Sequence, residues 1–141
     1  GVYHRDLKPE NVLVNAYNLP QLIDFGLAST ALVHYDHTVG TDAYMAPELC
    51  ANADYESSSY RCIDAGAADI WSLGITILFI LRGALPWLRA SPATDSMFAT
   101  YLAGRASLRE AYGISEDAAY LLTCMLDVDP MRRPCVQQIS D

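Results

Sequence analysis

The chain has 141 residues, enough for one ordinary domain and no more. Hydrophobic residues make up 52% and charged residues 18%, a core-forming rather than a disordered composition. Nine Lys and Arg stand against 17 Asp and Glu, a formal net charge of −8, which argues against nucleic acid or an anionic membrane as the main partner because both call for a basic face. Lys8 is the only lysine, and the other basic residues are all arginine.

In chain order, Val12-Leu13-Val14 and Gln21-Leu22-Ile23 predict two short strands, joined by the polar, Pro-containing segment Asn15 to Pro20 as a hairpin loop. Residues 27 to 46 carry no clean period, which marks a functional loop. The stretch from Ala51 to Ala65 is the most loop-like, with Asn, Asp, Ser and Gly clustered in and beside it. The apolar run Ile70 to Leu81 predicts a buried core helix, entered through Asp69 and left through Arg82-Gly83, and it is too short for a membrane span of about 20 residues. Thr94 to Leu102 reads as a helix. So does Ser115 to Leu126, with Ser115 as N-cap, Glu116 and Asp117 in the first turn, and Leu121, Leu122, Met125 and Leu126 on a buried side. Pro134 suits the first position of a last helix.

Cys50, Cys62, Cys124 and Cys135 show no C-x-x-C pair and no matching His spacing, so they predict buried free thiols rather than a zinc site or disulfides. His34 and His37 fall in the irregular stretch and read as loop residues rather than a metal pair, and Trp71 and Trp87 read as core aromatics. No basic segment followed by an apolar run opens the chain, so an intracellular protein of cytoplasm or nucleus is expected. The first residue is Gly1 rather than Met, and the chain runs directly into a motif, so it reads as a piece of something longer.

That motif is His4-Arg5-Asp6-Leu7-Lys8-Pro9-Glu10-Asn11, which fills every fixed position of H-R-D-L-x-x-x-N. Asp24-Phe25-Gly26 follows at the end of the second predicted strand, and Gly40-Thr41-Asp42-Ala43-Tyr44-Met45-Ala46-Pro47-Glu48 closes the irregular stretch. On these residues the chain resembles the C-terminal lobe of a eukaryotic-type Ser/Thr protein kinase. The implied fold is α+β for the parent, with this portion mainly α and a short β-hairpin beside the catalytic loop. The implied extent is a partial kinase domain over residues 1–141, from the catalytic loop to the start of the last helix, without the N-lobe and the first C-lobe helices.

The resemblance also implies roles. Asp6 accepts a hydrogen bond from the attacking hydroxyl, Lys8 lies near the transferred phosphoryl group, and Thr41 bonds both of them. Asn11 and Asp24 hold Mg²⁺ on the phosphates of ATP. Lys8 with Thr41 favours Ser/Thr over Tyr as the phosphoacceptor. Asp24 to Glu48 becomes the activation segment, with Ser29, Thr30, Tyr35 and Thr38 as candidate phosphoacceptors, Thr38 first among them, and Arg5 as the residue to pair with the phosphate. Asp69, in Asp69-Ile70-Trp71-Ser72-Leu73-Gly74, supports the backbone of the catalytic loop, and Arg133 pairs with Glu48 in a buried ion pair. The expected partner is a Ser/Thr-containing protein substrate, which the acidic charge suits if it is basic.

One lysine is too few for a whole kinase, which needs another on an N-lobe strand for the nucleotide phosphates, and no two glycines lie at the spacing of a phosphate-covering loop. Three readings follow: part of an ATP-dependent Ser/Thr protein kinase, a pseudokinase or binding module using the kinase surface, or a truncated product. The stretch from Glu48 to Asp69 is longer than usual for the family, and nothing in the sequence accounts for it.

Overall fold

Asn15 sets up the first element by folding its own side chain back over the turn. Its Oδ1 accepts from Tyr17 N (2.9 Å) and Leu19 N (3.0 Å), while Asn18 takes a left-handed φ of 59°, which asparagine tolerates better than most residues. The turn closes a hairpin of β1 (Val12–Val14) and β2 (Pro20–Leu22), with Val12 opposite Leu22 and Val14 opposite Pro20. The second strand therefore starts one residue earlier than predicted. Ile23 lies past its end, yet its N–H donates to Asn11 O at 3.0 Å and so carries the pairing down to the catalytic loop. The computed structural model describes residues 1–34, 39–54, 62–104 and 107–140.

Within the irregular stretch, Ser29 and Tyr3 exchange backbone hydrogen bonds (2.8 and 2.9 Å), and β3 (Val33–His34) pairs antiparallel with β4 (Ile63–Asp64). Helix α1 (Pro47–Asp54) occupies the start of the segment read as loop. Asp64 then caps α2 (Ala65–Arg82), its Oδ1 accepting from Ala67 N at 2.9 Å. The helix thus begins before the predicted Ile70, and Asp69 sits in its second turn rather than at its entry. Gly83 ends it with φ 68° and an N–H to Phe79 O at 2.7 Å.

At 18 residues and a mean hydropathy of 1.5, α2 is long and apolar enough to cross a membrane by length and composition, which the shorter run Ile70 to Leu81 was not. Its buried side, with Ile70, Trp71, Ile75 and Leu78, forms the centre of the core. Helix α5 (Glu116–Met125) lies against it so closely that a Cβ on Gly74 would stand 3.0 Å from Leu126 Cδ2. Ser115 caps α5 as predicted, accepting from Ala118 N at 3.2 Å, and Leu122, Met125 and Leu126 are buried while Leu121 is half-buried.

Helix α3 (Ser96–Leu102) starts later than Thr94 because Asp95 is its cap. Asp95 Oδ1 accepts from Met97 N and Phe98 N, and Oδ2 from Leu88 N (2.8 Å) and Arg89 N (3.3 Å). Burial raises the Asp95 carboxyl, but these four backbone donors outweigh it and hold the group below its ordinary value. Trp71, Trp87, Phe98 and Tyr101 pack as an aromatic cluster, with Trp87 5.0 Å from both Phe98 and Tyr101 between ring centroids. Burial, with the Asp127 charge adding to it, pushes the Tyr101 phenol up to about 12.

Helix α4 (Leu108–Tyr112) was not foreseen. Helix α6 (Val136–Ser140) opens two residues after Pro134, where Gln138 Oε1 accepts from Cys135 N. None of the four cysteines is in a disulfide, but only Cys50 is fully buried; Cys62 and Cys135 are exposed and Cys124 is half-buried. The expectation of buried thiols is thus corrected for two of them, which stand at the edges of β4 and α6. The architecture is mainly helical with small antiparallel ribbons, as the fold-class expectation has it.

Candidate active site

Pro9 locks the first turn of a 3-10 helix (Pro9–Asn11), so the chain doubles back immediately after Lys8 and brings Asn11 beneath Asp6. Asp6 then collects three side chains. Its Oδ2 accepts from Lys8 Nζ at 2.8 Å, its Oδ1 from Thr41 Oγ1 at 2.8 Å, and Lys8 Nζ also donates to Thr41 Oγ1 at 2.8 Å. Asn11 Nδ2 donates to the Asp6 carbonyl (2.9 Å) and, more weakly, to its carboxylate (3.4 Å). Burial raises the Asp6 carboxyl, but the bonds from Lys8 and Thr41 and the Lys8 charge outweigh it, so the group lies below its ordinary value and is ionised at neutral pH.

The turn that presents Asp6 is strained. Arg5 has φ 68°, a left-handed conformation that costs a non-glycine residue about 1–2 kcal/mol. Asp69 holds it there, accepting from His4 N at 2.7 Å and Arg5 N at 2.8 Å. Burial pushes the Asp69 carboxyl up, and the two backbone donors only partly offset this. From the other side Gly40, with φ 112°, passes so close that a Cβ would fall 2.8 Å from Arg5 O. His4 ties the loop to the hairpin: Nδ1 accepts from Asp6 N (3.3 Å), which leaves Nε2–H to donate to Ile23 O (2.9 Å). His4 and Gly40 stood in the motifs without a role of their own, because neither the left-handed turn nor its neighbours can be read from a motif.

The hairpin pairing sets Asp24 next in the chain to a residue bonded to Asn11, since Ile23 N donates to Asn11 O at 3.0 Å. Asp24 is exposed, has φ 59°, and its Oδ1 accepts from Gly26 N at 3.3 Å. Asn11 uses its amide N–H groups on Asp6, so the amide oxygen is the atom it can offer a cation. One carboxylate and one amide oxygen suit a hard ion such as Mg²⁺ that takes its remaining ligands from water and phosphate. Among the described residues no group of three His, Cys, Asp or Glu forms a self-sufficient metal site.

Glu48 and Arg133 come together in the core. Arg133 Nη1 and Nη2 reach Glu48 Oε1 and Oε2, both at 2.7 Å, while Nη1 also donates to Ala67 O and Nε to Asp127 O. The Arg133 side chain is 0% exposed, and its guanidinium lies 5.0 Å from the Trp71 ring centre. Thr38, Tyr35 and His37 lie outside the described residues, so the pairing of Arg5 with Thr38 does too. Ser29 is bound into the bridge with Tyr3, Thr30 is exposed, and His34 is bonded to Ala31 O.

A mainly helical lobe around a central core helix, with the H-R-D segment bonded to Thr41 at Asp6, the D-F-G segment following the hairpin and the A-P-E glutamate held by Arg133, defines a protein kinase catalytic lobe. The chain belongs to the protein kinase domain family, whose model matches residues 1–141. It is 36% identical over 146 residues to CBL-interacting protein kinase 24 of Oryza sativa subsp. japonica, covering 100% of this chain and 29% of that protein. It is 36% identical to serine/threonine-protein kinase ksp1 of Schizosaccharomyces pombe, covering 94% of this chain and 28% of that protein. It is 32% identical to the negative regulator of sexual conjugation and meiosis of the same yeast, covering 99% and 33%. The chain thus spans about a third or less of the length of these relatives.

Proposed function

We propose that these residues form the catalytic C-lobe of a Ser/Thr protein kinase that moves the γ-phosphoryl group of ATP to a protein hydroxyl. The observation that carries this reading is the closed Asp6–Lys8–Thr41 triangle, in which an ionised carboxylate is aimed by a lysine and a threonine. Asp6 receives the hydrogen bond of the attacking Ser or Thr hydroxyl and takes its proton as transfer proceeds. Lys8 supplies fixed positive charge beside the reacting oxygens, where charge must be neutralised without reorganisation. Thr41 links the substrate-facing segment to Asp6, so the peptide ledge and the base are set together. Asn11 and Asp24 would hold Mg²⁺, which supplies charge neutralisation at the nucleotide phosphates when bound. Asp69 acts through the backbone of His4 and Arg5 and Gly40 through its close approach to Arg5, so both are positioning residues.

Lys8 is the sole lysine of these 141 residues and is engaged in the triangle. The lysine that holds the α- and β-phosphates must come from outside them, as must a glycine-rich cover. The expected result is no transfer by the 141 residues alone and transfer by the full-length protein, followed with radiolabelled ATP and a Ser/Thr peptide. In the full-length protein Asp6→Asn should lower kcat by about 10²–10⁴-fold while the unfolding midpoint stays close to wild type. Near-normal kcat in that variant would overturn the role given to Asp6.

A further inference from the structure

Thr41 stands at the head of a 3-10 turn, Asp42–Tyr44, where a threonine hydroxyl ordinarily caps the turn. It makes no cap bond there, because Oγ1 is committed to Asp6 and Lys8. On its other side Gly40, with φ 112°, has no side chain to anchor. The turn is therefore fastened from elsewhere, and at two ends. At the far end Ser72 Oγ donates to Tyr44 O at 2.8 Å, and Tyr44, Met45 and Ala46 are buried. At the near end Arg89 Nη1 donates to Asp42 Oδ2 at 3.2 Å across a separation of 47 residues. Arg89 is itself fixed. Its backbone N–H is bonded to Asp95 (3.3 Å), and its Nη2 donates to Cys50 O in α1 (3.4 Å). Trp87, two residues before it, and Ala90, directly after it, are buried.

Resting on the proposed function, we infer that Arg89 is a positioning residue for phosphoryl transfer: through Asp42 it fixes Thr41, and through Thr41 the Asp6 carboxylate. The lever is short. Neighbouring Cα atoms stand about 3.8 Å apart across a stiff peptide bond, so a shift of Asp42 passes directly to Thr41. Thr41 Oγ1 lies 2.8 Å from both Asp6 Oδ1 and Lys8 Nζ, so its displacement opens two sides of the triangle at once. The ion pair contributes little to folding, since the Asp42 side chain is 67% exposed and a single pair in solvent is weak. What Arg89 supplies is placement. One guanidinium ties the Thr41 turn to α1 and to the loop that leads into α3, and a misplacement of about 1 Å at reacting groups is enough to slow a reaction severely.

The test uses the full-length protein with Mg²⁺–ATP and a Ser-containing peptide, and reads the single-turnover rate of transfer beside KM for ATP and the unfolding midpoint. Arg89→Ala should slow transfer by about tenfold, with KM for ATP and the midpoint close to wild type. Arg89→Lys, too narrow to span Asp42 and Cys50 together, should fall between. Asp42→Ala, a change at an exposed side chain, should reproduce the loss, whereas Asp42→Asn keeps an acceptor oxygen and most of the rate. The losses should not add, so the double variant of Arg89→Ala and Asp42→Ala should be about as slow as either alone. In the Thr41→Val background, where no hydroxyl is left to aim, Arg89→Ala should slow transfer by less than about twofold. Rates within about twofold of wild type in both Arg89→Ala and Asp42→Ala, or an Arg89→Ala loss as large without the Thr41 hydroxyl as with it, overturn the inference and leave the kinase reading standing. Absence of transfer by the wild-type protein to every peptide and protein substrate overturns both.

Discussion

The catalytic loop and the Glu48–Arg133 anchor are both built from charged residues, yet they are held in opposite ways. Around Asp6 the groups are partly buried, the backbone at Arg5 and Asp24 is left-handed, and order comes from a ring of hydrogen bonds. At Arg133 the charge is fully enclosed, bonded through all three nitrogens and stacked on Trp71. The first arrangement keeps lone pairs within reach of a substrate and accepts strain to do so. The second fixes the start of α1 and the C-terminal segment to the core helix, with the Arg133 side chain wholly enclosed.

Breaking the enclosed pair should have the largest effect. In the full-length protein Arg133→Ala or Glu48→Ala should cost about 3–5 kcal/mol, because the remaining partner is left buried and unpaired. Chemical denaturation reads this directly, and a loss below 1 kcal/mol would show that the pair is not enclosed in solution. At the catalytic loop the expected order is reversed, with function lost before stability. Asp69→Asn should cost about 1–3 kcal/mol, since its amide turns a donor toward one of the two backbone N–H groups. It should lower kcat further than that loss of stability explains, because Arg5 then relaxes and Asp6 moves. A parallel kcat and denaturation series that tracked stability alone would remove the positioning role.

Asp95 supplies the smallest effect and a test of sign. Its Ala variant should lose about 1–2 kcal/mol near neutral pH, as for a strong helix cap. The carboxyl is held below its ordinary value in the folded state, so its contribution is complete above the unfolded value of about 3.9 and is lost as pH falls through the folded one. The gap between wild type and Asp95→Ala should therefore be constant from pH 7 to 5 and narrow below about 4. A gap that widened on acidification would contradict the four-donor arrangement.

What could be read in advance follows the range of the interactions. Within the H-R-D-L-K-P-E-N octapeptide, Lys8 and Asn11 reach Asp6 from two and five residues away, so this part of its chemistry is visible as a local pattern. Ser115 at the head of an apolar-periodic segment announces α5 for the same reason. By contrast β3 and β4 are two residues each, too short to show a period, and their partners lie about thirty residues apart. Helix α4 is about a turn and a half, too short to show a period, and its local cues are its two caps, Ser107, which accepts from Glu110 N, and Gly113, which ends it with φ 61°.

The two aspartates before the core helix show the limit most clearly. Asp64 and Asp69 are equally good caps by residue type, and only the apolar run favoured Asp69. In the folded chain Asp69 is committed to His4 and Arg5, so Asp64 caps the helix and the helix gains its first turn. The residues between Glu48 and Asp69 that had no account are in part this longer helix and the strand that pairs with the activation segment.

The family, the groups proposed to react and the single lysine among them are legible in the sequence, because side-chain chemistry and short spacing are local properties. Only the tertiary structure decided that Gly40 and Asp69 share the burden of one strained turn. It alone placed Arg89 on Asp42 and enclosed Arg133 around Glu48. Those contacts join residues 35 to 85 positions apart. Their geometry depends on where the core helix and its aromatic neighbours come to rest, which no short stretch of chain encodes.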